Sequence, residues 1–111
     1  MEVSKETEQK ISQLQMFEQS LQNLLGQKQQ FQVQLVEAES ALNELQNTSK
    51  SYKIVGNIMV EADKEDLKSD LQSKKEMLEL RIRTMEKQEA QVREKASKLQ
   101  AEILNKIKKD S

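Results

Sequence analysis

Over residues 14–45, apolar side chains recur at alternating steps of three and four without a slip. The a positions of this heptad are Leu14, Leu21, Lys28, Leu35 and Leu42, and the d positions are Phe17, Leu24, Phe31, Ala38 and Leu45. Nine of these ten are apolar, which makes a seam two positions wide in seven, the signature of a coiled coil. Between them lie Gln13, Gln15, Gln19, Gln22, Gln27, Gln29, Gln30, Gln32 and Gln34, good helix formers that stay solvated without accumulating charge. Gly26 falls at an outward f position, where it costs about 1 kcal/mol but opens no hole in the seam. Asn47-Thr48-Ser49 can cap or turn the chain, so this first helix is expected over about residues 5–47.

A second seam runs through Leu71, Lys75, Leu78, Ile82, Met85, Glu89, Val92, Ala96, Leu99 and Ile103, with Lys75 and Glu89 as polar interruptions. Asp63 suits its N-cap, and Glu65 and Asp66 in the first turn favour the positive end of the helix dipole. Lys106, Lys108 and Lys109 suit its C-terminus, placing this helix over about residues 64–108. Leu67 lies outside the register and is expected to pack beneath whatever precedes it.

What precedes it reads as a β-hairpin over residues 51–61. Two β-rich runs, 52–55 and 58–60, flank Gly56-Asn57, a two-residue hairpin turn in which Gly takes positive φ freely and Asn tolerates it. On that turn Val55 pairs with Ile58, Ile54 with Met59, Lys53 with Val60 and Tyr52 with Glu61. One face then carries Val55, Ile58 and Val60, and the other carries Tyr52, Ile54 and Met59. An isolated hairpin is marginal in water, so two apolar faces demand a cover.

Laid antiparallel about this turn, the two seams match layer for layer. Leu45 meets Leu71, Leu42 meets Lys75, Ala38 meets Leu78, Leu35 meets Ile82 and Phe31 meets Met85. Farther out, Lys28 meets Glu89, Leu24 meets Val92, Leu21 meets Ala96, Phe17 meets Leu99 and Leu14 meets Ile103. The one polar seam residue of the first helix thus faces Glu89. A buried Lys-Glu pair adds little net stability but can fix register, since a slip of one layer strands a charge. Two separate seams serving two intermolecular coils are the alternative. The expected fold is mainly α: a long antiparallel two-helix coiled coil, each arm roughly 60 Å long at about 1.5 Å per residue. One β-hairpin joins the arms, and residues 1–111 form a single unit.

Composition supports long helices rather than a globular core: 33% of residues are charged, 3% are aromatic, and Pro and Cys are absent. The regular seams speak against disorder, the other reading of such a composition. The formal net charge of −1 predicts no general attraction to nucleic acid or to anionic membrane. No apolar run reaches transmembrane length and residues 1–10 lack a secretory apolar core, so the chain is expected to be cytoplasmic. Catalysis finds little support. With no His and no Cys, the commonest metal ligands and general bases are missing. Only Gly26 and Gly56 are available, too few for a phosphate loop. No catalytic residue, cofactor or metal is expected.

With hairpin and seams placed, the chain resembles the prefoldin beta-subunit family over its whole length. The most telling text is Tyr52-Lys53-Ile54-Val55-Gly56-Asn57-Ile58-Met59-Val60, similar to the family's aromatic-Lys-x-Val-Gly hairpin with its apolar second strand. Ala62-Asp63-Lys64-Glu65-Asp66-Leu67 is similar to the polar segment that follows, and a single hairpin matches the beta class, the alpha class carrying two. Eukaryotic relatives often have Pro where this chain has Asn57. The resemblance implies a hexamer of two alpha and four beta subunits whose hairpins build a double β-barrel. It implies an ATP-independent holdase that captures unfolded proteins between coil tips and passes them to a group II chaperonin. On that reading Tyr52, Ile54, Val55, Gly56, Ile58, Met59 and Val60 serve assembly.

At the open end of the coil, Val3, Ile11, Met16, Leu104 and Ile107 fall at or beside the seam, where a solvated coil usually carries charge. They are candidate client-binding residues, because exposed apolar side chains grip unfolded chains and Met adapts to varied surfaces. Closing the last coil layers is their simpler role. A scaffold subunit of the same type without holdase activity would form the same barrel but lack exposed apolar tips. A nucleic-acid-binding arm would need a basic stripe, but Arg81, Arg83, Lys87 and Arg93 are interleaved with Glu79, Glu86, Glu89 and Glu94.

Overall fold

The computed structural model describes residues 4–109. Its elements in chain order are α1 (Lys5–Leu45), β1 (Ser51–Val55), β2 (Ile58–Ala62) and α2 (Lys64–Lys109).

Side-chain caps start both helices. The Thr7 N–H donates to Ser4 Oγ at 3.2 Å, and the Glu8 N–H donates to the Ser4 carbonyl at 2.9 Å. Asp63 Oδ1 accepts from the N–H groups of Glu65 at 2.8 Å and Asp66 at 3.1 Å. Each cap satisfies donors that a helix start otherwise leaves to water. The end of α1 is earlier than its polar sequence suggests. Gln46 and Asn47 donate to the carbonyls three residues back, at 3.3 and 3.1 Å, so the helix tightens and stops at Leu45.

The hairpin has the expected register, with Val55 opposite Ile58, Ile54 opposite Met59 and Tyr52 opposite Glu61. It extends one pair further, to Ser51 and Ala62, where the Ser51 hydroxyl donates to the Ala62 carbonyl at 2.9 Å. Gly56 has φ +62, and no other residue described has positive φ. Asn57 therefore does not use its tolerance of the left-handed region, and the turn has the type II′ pattern, with Gly at the first central position. A Cβ at residue 56 would meet no neighbour, so the requirement for glycine there is conformational rather than steric.

Two compact units are present. One consists of the segments up to Lys28 and from Thr84 onward; the other is Gln29–Arg83 and includes the hairpin. In the hairpin unit the core holds Ala38, Leu45, Leu78 and Ile82, and Leu78 is 2% exposed. The Arg81 guanidinium sits 5.5 Å from the centre of the half-buried Phe31 ring, a cation–π contact between α1 and α2. In the other unit the core holds Met85, Leu99 and Ile103. There the cross-helix pairs Glu6–Lys106, Lys10–Glu102 and Lys28–Glu89 run in opposite senses along the two helices, which makes the packing antiparallel. All twenty seam residues read from the sequence are buried or half-buried. Heptad spacing alone placed that stripe, because only a and d positions face a partner helix.

Candidate functional site

Three places bear on function: the hairpin, the polar layer of the seam, and the end, marked by Ser4 and Lys109, of the unit that lacks the hairpin.

Every apolar hairpin residue from Tyr52 to Val60 is exposed. Ile54 is 71% exposed and Ile58 is 64%, and these two lie on opposite faces. Beneath the Tyr52 and Met59 face lies a groove lined by Leu45, Thr48, Leu67 and Leu71. Leu67, the residue out of register, is half-buried there. It packs under one face of the hairpin and leaves the strands themselves uncovered.

Lys28 and Glu89 come together. Lys28 Nζ donates to Glu89 Oε2 at 2.9 Å, and only 17% and 15% of the two side chains are exposed. The other carboxylate oxygen accepts from Arg93 Nη2 at 2.9 Å and Nε at 3.3 Å. Arg93 was not singled out by the heptad, although its position four residues after Glu89 is the signal for such a pair. The hydrogen bond from Lys28, followed by that from Arg93, holds the Glu89 carboxyl below its ordinary value of 4.5. A lowered folded-state value means that the unfolded chain binds the proton more tightly. The stabilisation from Glu89 is therefore complete above that ordinary value and is lost as pH falls through the lowered one. Lys28→Glu is expected to lower the unfolding midpoint clearly at pH 7, whereas Lys28→Leu, which fills the layer and leaves Glu89 its Arg93 partner, should lower it distinctly less. Urea titrations of both variants check this, and equal losses would remove the polar layer's role in register.

At the Ser4/Lys109 end, the candidate client-binding residues divide. Met16 is 67% exposed, and Leu104 and Ile107 are also exposed. Ile11 is half-buried beside the seam, and Val3 lies outside the described residues. The last layers of the seam are polar, which was not read from the sequence: Thr7 is 1% exposed, and Lys10 and Lys106 are half-buried on the same stripe. Lys106 Nζ bonds Glu6 Oε2, and Lys10 Nζ lies 3.2 Å from Glu102 Oε2 and 3.8 Å from Glu6 Oε1. The hydrogen bond and charge of Lys106, then the charge of Lys10, lower the pKa of Glu6.

Other exposed apolar residues also escaped the heptad. Val33 and Val36 stand on α1, and Met77 and Leu80 on α2, all at outward positions. Among the described residues no group of His, Cys, Asp and Glu side chains could hold a metal ion, and no helix is long and apolar enough to cross a membrane.

Known proteins agree with this architecture. Residues 8–110 match the family described as Prefoldin subunit. The Prefoldin subunit beta of Archaeoglobus fulgidus is 40% identical over 98 residues, covering 86% of this chain and 84% of that one. That of Methanospirillum hungatei is 36% identical over 108 residues, covering 95% and 90%. The crystal structure of the prefoldin beta subunit from Thermococcus strain KS-1 superposes with a TM-score of 0.87 at 33% identity, covering 94% of each chain. Two long helices joined by one antiparallel hairpin are shared with it, and the chain belongs to the prefoldin subunit family, a family of chaperones rather than enzymes.

Proposed function

We propose that residues 1–111 act as one beta-type unit of a cytoplasmic, ATP-independent holdase. Two alpha and four beta subunits assemble through hairpins that share a double β-barrel, the coil tips hold non-native polypeptides, and a group II chaperonin receives them. Support for assembly comes from Tyr52, Ile54, Val55, Ile58, Met59 and Val60, all exposed in the single chain with nothing but Leu67 and its neighbours beneath one face. Large contiguous apolar surface of this kind marks an interaction site. Capture rests on a separate observation: Met16, Leu104 and Ile107 are exposed at the Ser4/Lys109 end.

The test is a variant in which Ile11, Met16, Leu104 and Ile107 are all replaced by Ser, assayed for suppression of aggregation of a denatured client. A several-fold loss with the oligomer intact is expected. Because Ile11 is half-buried, a triple variant that keeps Ile11 separates capture from closure of the coil. Unchanged suppression in both variants contradicts capture at this end and moves the client site elsewhere, for example onto the inner sides of the coils. No suppression by the unaltered oligomer would favour the scaffold reading, a prefoldin-type subunit without holdase activity.

A further inference from the structure

The same end of that unit is closed in an unusual way. Along the rest of the seam, mostly apolar layers hold the helices together, with Lys75 and the shielded Lys28–Glu89 pair as the exceptions. In the outermost described turns the seam passes instead through Thr7, Lys10 and Lys106. Here the cross-helix links are ionic, Glu6–Lys106 and Lys10–Glu102, with Lys10 also within reach of Glu6. Immediately inside this network lie Leu99 and Ile103, both buried, and the half-buried Ile11 and Leu14.

We propose that Glu6, Lys10, Glu102 and Lys106 form an ionic clasp, whose release opens the last turns of the coil and exposes Ile11, Leu99 and Ile103 as additional apolar surface. The clasp is built to be weak. The Glu6 and Glu102 side chains are 62% and 57% exposed, and ion pairs in such surroundings contribute little and are readily screened. An apolar layer has no such sensitivity, so electrolyte loosens this end selectively and leaves the layers around Leu78 in place. Lys28–Glu89, with both side chains largely covered, is screened far less. The surface of Ile11, Leu99 and Ile103 is thus stored under a latch, beside the Met16, Leu104 and Ile107 side chains that are displayed permanently. The clasp is a property of the chain itself; only its use in capturing clients rests on the function proposed above.

Amide hydrogen exchange on the full-length chain tests it. Lys10→Gln, Glu102→Gln and the double variant are compared at low salt and in about 1 M NaCl, where the screening length falls to about 3 Å. At low salt each single variant is expected to speed exchange about two- to fivefold in the turns around residues 8–14 and 99–106. Exchange near Leu78 stays unchanged. The double variant is expected to exceed neither single by much, because both remove the same link. High salt brings the unaltered chain up to the variants. Additive effects, or exchange that ignores both salt and substitution, would overturn the clasp. Exchange that follows the clasp while aggregation suppression does not respond leaves the clasp standing and contradicts its use in capturing clients.

Discussion

Leu78→Ala is expected to destabilise the chain by about 2–5 kcal/mol, the range for emptying a buried leucine site. Leu78 is the most deeply buried large side chain of the hairpin unit, at 2% exposure. The sequence register sets it against Ala38, itself buried, and a small residue opposite a large one is how adjacent layers interdigitate. Shortening Leu78 would put two alanines in one layer, and rigid helix backbones cannot collapse into the gap. Urea unfolding followed by circular dichroism measures the loss. Leu71→Ala, at a half-buried position, serves as the comparison and should cost distinctly less. A loss below about 1 kcal/mol at Leu78 would mean that the site collapses and that the seam is not close-packed.

A second large effect is expected at the hairpin. Ile54→Asp combined with Ile58→Asp places one carboxylate on each hairpin face, because these residues belong to adjacent, oppositely directed pairs. Both side chains are already exposed in the single chain, so the fold should tolerate the change. In a shared barrel each carboxylate would be buried without a partner, at a cost of about 3–5 kcal/mol. Assembly should weaken by more than about 100-fold while helical content stays unchanged. Light scattering after size-exclusion chromatography reads the first quantity and circular dichroism the second. A variant that assembles like the parent would remove the hairpin as the assembly surface.

How much of this was legible in the sequence follows from what each feature depends on. The seams were readable because coiled-coil burial depends on spacing, and spacing is written directly in the order of residues. The strand register was readable because a two-residue turn fixes every pair that follows it. Lys28 and Glu89 were readable as a pair because polar residues are rare in these seams, and matching the seams brings the two together. The turn type was not, because Gly-Asn is compatible with more than one conformation and only Gly56 adopts positive φ. Nor was the ionic closure at Thr7, Lys10 and Lys106. Seam positions there look like ordinary surface residues, and which lysine reaches which carboxylate depends on the rotamers of long side chains across two helices. Val33, Val36, Met77 and Leu80 were passed over for a related reason. A heptad reading asks which positions face inward, and an apolar residue at an outward position leaves no mark on that pattern.

The central claim is that the exposed hairpin is a surface completed only by other subunits. Native mass spectrometry of this chain co-expressed with an alpha-type prefoldin subunit tests it most directly. The account predicts one assembly of six subunits, two alpha and four of this chain, that disappears when Ile54 and Ile58 are replaced by Asp. A chain that remains a monomer in the presence of that partner, with its hairpin still exposed, would contradict it.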